Sequence, residues 1–188
     1  TLQDKGIHSG IDVYMECTIT HLLKDGERIS GAFGYWRESG RFVLFKTKAI
    51  VLATGGVGKS YKVTSNSWEY TGDGQALAYE AGAELIDMEF VQFHPTGMVW
   101  PPSVRGILVT EAVRGEGGIL TNRNGERFME KYDPERMELS TRDVVARSIY
   151  TEVMEGRGSP HGGAFLNIAH RGADYVKKKL PSMYHQFM

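Results

Sequence analysis

The sequence predicts an α+β fold in which a sheet-rich first half gives way to a second half of loops and helices. Three observations carry this. Short stretches rich in β-branched and aromatic residues fill the first fifty positions. A continuous apolar run then opens into a glycine turn, and apolar residues at helical spacing appear only after it.

Residues 11–16, 18–23, 29–36 and 41–46 read as strands. Turn signals at Asp25-Gly26 and Ser39-Gly40 separate them, making Lys24-Asp-Gly-Glu and Glu38-Ser-Gly-Arg hairpin tips. Ala49-Ile-Val-Leu-Ala has no polar face, the pattern of a strand buried on both sides, and it ends at Thr54-Gly-Gly. Residues 74–81 predict a helix through Ala76, Leu77 and Ala81. Residues 90–128 carry many Gly and Pro with little periodicity, and long connections of that kind inside a domain usually serve function. A second helix is expected from Thr141 to about Glu155, with Val144, Val145, Ser148, Ile149 and Val153 on one side. Thr141 or Ser140 can cap it and Gly156 can stop it. A third, over residues 174–180, is halted by Pro181. The change of character near Gln92–Pro95 marks the expected domain boundary, between residues 1–92 and 93–188.

The 188 residues suffice for one domain or pieces of two. With 41% hydrophobic and 24% charged residues the composition is that of a globular protein. A net charge of -1 offers no basic lure for nucleic acid, so attraction of an anion would have to be local. Cys17 is the one cysteine, which excludes an internal disulfide and a CxxC-type metal or iron–sulfur site. No apolar run approaches the roughly 20 residues that span a bilayer. Thr1-Leu-Gln-Asp-Lys is neither a signal peptide nor an initiating methionine, so an excised or processed piece is expected.

Five motifs could carry chemistry. Val51-Leu-Ala-Thr-Gly-Gly-Val-Gly places glycines directly after the apolar run, where exposed amides can meet a phosphate or flavin edge, or simply turn the chain. The strand-linked GxGxxG fingerprint is missing throughout. Thr71-Gly-Asp-Gly precedes a helix, so Asp73 either caps it or offers a carboxylate to a cofactor hydroxyl. In Phe90-Val-Gln-Phe-His-Pro-Thr-Gly, the proline fixes His94 in extended backbone between two further hydrogen-bonding residues, Gln92 and Thr96.

Val109-Thr-Glu-Ala-Val-Arg-Gly-Glu-Gly-Gly is the densest constellation. Glu111 and Arg114 can pair at i,i+3 if the turn is helical, and an exposed pair of that kind is worth under about 1 kcal/mol. The flanking glycines instead suggest backbone packed against something. In Leu139-Ser-Thr-Arg-Asp, Arg142 sits in the first turn of a helix, where the dipole disfavours a cation. It pairs with Asp143, or it meets Glu111 or a bound anion.

Taken together, Ala53-Thr-Gly-Gly, Thr64-Ser-Asn, Thr71-Gly-Asp-Gly, Met88-Glu-Phe-Val-Gln-Phe-His-Pro-Thr-Gly, Thr110-Glu-Ala-Val-Arg-Gly-Glu-Gly-Gly, Gly125-Glu-Arg-Phe-Met, Thr141-Arg-Asp-Val-Val-Ala-Arg and Gly156-Arg-Gly occur in the order of one family. The chain resembles the succinate dehydrogenase/fumarate reductase flavoprotein subunits over nearly its whole length. The resemblance implies that residues 1–92 are the latter, β-rich part of an FAD-binding, Rossmann-like domain. Residues 93–188 would open the α+β capping domain that closes over the substrate.

It further implies interconversion of succinate and fumarate by hydride transfer with FAD and proton transfer by an arginine. Arg142 would be the acid/base, with Glu111 and Arg114 as the relay that reloads it. His94 and Thr110 would hold the substrate carboxylates, with Gln92 beside them. Ala53, Thr54, Gly55, Gly56 and Asp73 would touch FAD, as would backbone around Ile19, and no metal is implied. The implied partners are a membrane anchor and an iron–sulfur subunit, with a cytoplasmic location at the membrane through them, and no nucleic acid. An arginine acid is plausible only if Arg142 is buried beside Arg114, because its pKa lies above about 12. The family's amino-terminal glycine fingerprint, its flavin-attaching histidine and its later substrate-binding histidine and arginine have no counterpart. The piece alone is therefore expected neither to hold FAD tightly nor to turn over. L-aspartate oxidase, on the same scaffold, is the nearest rival, although Gly97 and the Gly117-Gly118 pair lean towards the dicarboxylate enzymes. A non-catalytic interaction domain is the other.

Overall fold

A computed structural model describes residues 1–187, a mixed structure of helices and sheet. It divides into two compact units, Thr1–Ser60 with Trp68–Asp87, and Tyr61–Ser67 with Met88 onward.

The first unit opens with α1 (Leu2–His8), where the Thr1 hydroxyl accepts the Asp4 amide and the Asp4 side chain reaches back to Thr1. Three antiparallel strands follow in the order β1 (Cys17–Asp25), β2 (Arg28–Trp36), β3 (Phe42–Lys46). Register runs from Cys17 opposite Trp36 to Asp25 opposite Arg28, across the expected Asp25-Gly26 turn. The central strand β2 is the most buried, with Ala32 at its middle. Helix α2 (Asp73–Glu80) turns Gly74 and Leu77 inward.

Two expected strands are absent. Residues 11–16 form an exposed connection, because Glu16 adopts a left-handed φ of 55° and turns the chain just before β1. Residues 49–53 pair with no strand among the described residues, and Val51 is 89% exposed. An apolar run becomes a strand only when a neighbour completes its ladder, so pattern alone misled here.

The second unit comprises α3 (Ala112–Gly115), β4 (Ile119–Thr121), α4 (Met129–Tyr132), α5 (Arg142–Met154), β5 (Phe165–Asn167), α6 (Ala173–Lys179) and α7 (Pro181–Phe187). Strands β4 and β5 pair antiparallel. Leu120, Phe128, Met129 and Val145 form its buried core, flanked by Val144, Ile149 and Leu166. The expected apolar side of α5 faces that core through Val145 and Ser148, but its next inward position is a carboxylate, Glu152. Thr141 stands at the cap position just before the helix, yet its hydroxyl donates to Asp143 rather than capping a backbone amide. Pro181 ends α6 and also begins α7, where its missing N–H costs nothing. No described helix is long and apolar enough to cross a membrane.

Candidate active site

The irregular stretch before α3 and the start of α5 meet at one carboxylate. Glu111 Oε1 accepts Arg114 Nη2 at 2.9 Å, and its Oε2 accepts Arg142 Nη2 at 2.8 Å and Nε at 3.1 Å. Arg142 Nη1 then donates to Gln92 Oε1 at 3.1 Å, drawing in a residue fifty positions earlier. Arg142 is therefore held by three hydrogen bonds at a helix start where a cation is otherwise disfavoured. It meets Glu111; Asp143 pairs instead with Arg147, at 2.7 Å.

The two arginines differ in setting. The Arg114 side chain is 1% exposed, whereas that of Arg142 is 41% exposed. Of the pair that an arginine acid requires to be buried together, Arg114 is buried, whereas Arg142, at the first turn of α5, is part exposed. Hydrogen bonds from Arg142, opposed by burial, hold the Glu111 carboxyl below its ordinary pKa, aided by the charges of Arg142 and Arg114. Two fixed cations against one carboxylate leave net positive charge open to an anion.

His94 lies within the field of this group. Burial, then the charges of Arg142 and Arg114, opposed by Glu111, push its imidazole below the usual value of 6.5, which favours the neutral ring. The Thr96 amide donates to His94 Nδ1 at 3.3 Å, while the Thr96 hydroxyl spends its proton on the Val109 carbonyl at 2.7 Å. With Nδ1 an acceptor, the ring proton belongs on Nε2, leaving an N–H to donate elsewhere. Thr110 is half-buried, its hydroxyl accepting the Ala112 amide at 3.5 Å, a weak bond that leaves the O–H proton free. An apolar groove of about 580 Å³ also opens in this unit, but none of Gln92, His94, Glu111, Arg114 or Arg142 lines it.

The other candidate residues lie in the first unit. Ala53, Thr54, Gly55 and Gly56 form an exposed turn. Gly55 holds φ +76°, and a Cβ there would press within 2.7 Å of the Tyr70 ring. A Cβ on Gly74 would lie 1.8 Å from Thr54 Oγ1 and 2.9 Å from its Cβ, so the start of α2 sits against the turn only because Gly74 is bare. Gln75 Nε2 ties α2 to the turn through the Gly55 carbonyl at 3.3 Å, yet its Oε1 is buried without a partner. Asp73 is exposed at the start of α2, accepting the Thr71 hydroxyl at 3.0 Å. Ile19 sits on β1 opposite Gly34, beside an irregularity in the ladder. Exposed glycine backbone, an exposed carboxylate and an orphaned amide oxygen suit a polar cofactor edge. Among the described residues no group of His, Cys, Asp and Glu is placed to hold a metal ion.

Sequence reasoning passed over two interior polar pairs, Arg127 with Glu138 and Asn122 with Glu152, in which the acids are buried. A lone acid inside the apolar triplet Met137-Glu-Leu was the only available signal for Glu138.

The family described as FAD binding domain matches residues 1–188. The chain is 53% identical over 187 residues to one of the subunits of the fumarate reductase (CoM/CoB) of Methanothermobacter marburgensis, covering 100% of this chain and 34% of that protein. It is 41% identical over 186 residues to the succinate dehydrogenase flavoprotein subunit of Coxiella burnetii, covering 97% and 31%. Among solved structures, a variant of the E. coli quinol fumarate reductase chain FrdA superposes with a TM-score of 0.86 at 35% identity, covering 97% of this chain and 33% of that one. The chain spans about a third of the length of these relatives.

Proposed function

Because the chain belongs to the FAD binding domain family, we propose that it is the middle portion of a flavoprotein subunit that interconverts succinate and fumarate. The observation that carries this reading is Glu111 gripping Arg114 and Arg142 at once, with Gln92 on the far side of Arg142 and His94 within their field. That arrangement suits a small dianion. The Nε2–H of His94 and the Thr110 hydroxyl would each take a carboxylate oxygen, while net positive charge attracts the substrate.

In the proposed chemistry, Arg142 gives a proton to one olefinic carbon of fumarate or takes it from succinate. Its five N–H groups are already oriented by Glu111 and Gln92, so little reorganisation accompanies the transfer. Glu111, hydrogen-bonded to both arginines, would pass a proton from Arg114 back to Arg142. A bound dicarboxylate would cover the exposed part of Arg142 and exclude water from the transfer. FAD, when bound, supplies the hydride chemistry at the other carbon. Ala53–Gly56, Asp73 and Gln75 would hold it, with backbone near Ile19. Residues 1–92 would belong to the cofactor domain and those from 93 onward to a capping domain. A membrane anchor and an iron–sulfur subunit are the proposed partners, placing the intact protein at the membrane on the cytoplasmic side.

Two measurements on the intact subunit test this. It is expected to reduce a dye with succinate and to be inert with aspartate; the reverse would assign the chain to L-aspartate oxidase chemistry. Malonate is expected to raise the melting temperature, and no shift would favour a non-catalytic module. Gly74→Ala tests the cradle: overpacking of a few atoms costs about 1–3 kcal/mol, the turn moves away from α2, and flavin content falls. Full flavin content in that variant would remove residues 53–56 from the cofactor site.

A further inference from the structure

We propose, resting on the proton path above, that Arg127 and Glu138 form a positioning clamp for it, acting through the backbone that holds Arg114. Neither side chain touches Glu111 or Arg142. Glu138 is 3% exposed and lies in a short 3-10 turn, Met137–Leu139. Its carboxylate is fully used: Oε1 accepts Arg127 Nε at 3.0 Å and the Leu120 amide at 3.0 Å, and Oε2 accepts Arg127 Nη2 at 2.6 Å. A two-pronged arginine and a strand amide thus fix this turn to β4. Burial alone would raise the Glu138 carboxyl, but Arg127 and the Leu120 amide bring it below its ordinary value, so it stays ionised.

The same turn carries the acceptors for Arg114. Arg114 Nη1 donates to the Glu138 carbonyl, with the Ser140 carbonyl at 3.5 Å. Arg114 Nε has no partner among the described residues although the side chain is buried. The guanidinium is therefore oriented from two sides only, by these carbonyls and by Glu111. Remove the carbonyls from their places and Glu111 alone must hold a buried cation whose remaining donors are unsatisfied. The turn does not rest there unaided: Met137 has a left-handed φ of 53°, which costs about 1–2 kcal/mol for a residue with a side chain. The three bonds to the Glu138 carboxylate supply the restraint. Contact runs from Arg127 to the Glu138 carboxylate, from the Glu138 carbonyl to Arg114, and on through Glu111 to Arg142, so a displacement at one end is passed to the other.

The test uses Arg127→Met, Arg127→Lys and Glu138→Gln in the intact flavin-loaded protein. Arg127→Met is expected to lower kcat about tenfold or more, with KM for fumarate within about twofold and flavin content unchanged. Arg127→Lys, keeping one charge-assisted bond, recovers part of the loss. In an Arg114→Lys background Arg127→Met adds little, because both act on one path. Should Glu138→Gln fail to fold, Arg127→Met still decides, its side chain being 37% exposed. A lower melting temperature with kcat per flavin unchanged would reduce the pair to a fold element and overturn the clamp, as would losses that simply multiply. An Arg142→Lys control separates the two claims. Full turnover there sinks the proton path, whereas loss there with none in Arg127→Met sinks the clamp alone.

Discussion

Replacing Arg142 by lysine in the intact protein is expected to abolish turnover while leaving flavin content and fold unchanged. Arg142 makes three hydrogen bonds with a planar fork, two to Glu111 and one to Gln92. A lysine ammonium is a single point on a flexible stem and cannot span both partners in a fixed plane. The charge survives, so attraction of a dicarboxylate persists and KM changes little. The oriented proton does not survive. General acid–base steps are worth about 10²- to 10⁴-fold, and a loss in kcat of that order is expected. Dye-linked succinate oxidation per mole of bound flavin measures it. Turnover close to that of the parent would remove Arg142 from the proton path.

The largest effect on stability is expected at Glu152. This carboxylate is 1% exposed on α5, yet it accepts Arg157 Nε at 2.8 Å and Nη2 at 2.7 Å, Asn122 Nδ2 at 3.0 Å and Tyr132 Oη at 2.8 Å. Arg157 reaches Glu155 as well. The Arg157 hydrogen bonds, opposed by burial, bring Glu152 down to about 2 from an ordinary 4.5. A carboxyl depressed on folding stabilises the native state fully above the unfolded value, and that contribution fades as pH falls from 4.5 towards 2. At about 1.4 kcal/mol for each unit, the ionised form accounts for roughly 3 kcal/mol. Glu152→Ala, which leaves Arg157 to Glu155, Asn122 to Glu126 and the Tyr132 hydroxyl without its acceptor, should cost about 3–5 kcal/mol near neutral pH. Urea unfolding of Glu152→Gln and of the parent protein, followed from neutral pH to below 4.5, should show their difference shrinking with acid. A difference independent of pH would mean that the carboxylate's charge contributes nothing.

The two results bear on one element. Arg142 stands at the first turn of α5 and Glu152 near its last, so the network at Glu152 holds the end of the helix opposite the chemistry. Asn122 links the segment after β4 to that helix by sharing its amide between Glu126 and Glu152. Residues in the loops that follow β4 and α5 thereby anchor the far end of the helix that carries Arg142.

Local signals were sufficient where the chain decides its own conformation. The Asp25-Gly26 turn, the spacing of Ala76 and Leu77, and the stretch from Thr141 to Gly156 all depend on neighbours within a few residues, and each gave its element. The i,i+3 spacing of Glu111 and Arg114 likewise foretold their ion pair. Residues 49–53 show the opposite case. Their apolar pattern requires a partner strand, and exposure of Val51 follows when none pairs with them.

By itself the sequence determined the α+β character, the order of the motifs and the identity of the charged residues that a dianion would need. Only the tertiary structure decided that Gln92 meets Arg142 across fifty residues, that Arg114 is buried while Arg142 is half open, and that Glu138 and Glu152 are interior acids. The reason is one of range. Turns and helix faces are set by backbone sterics and spacing over a few positions, whereas the burial of a charge is settled by which distant donors the fold brings to it.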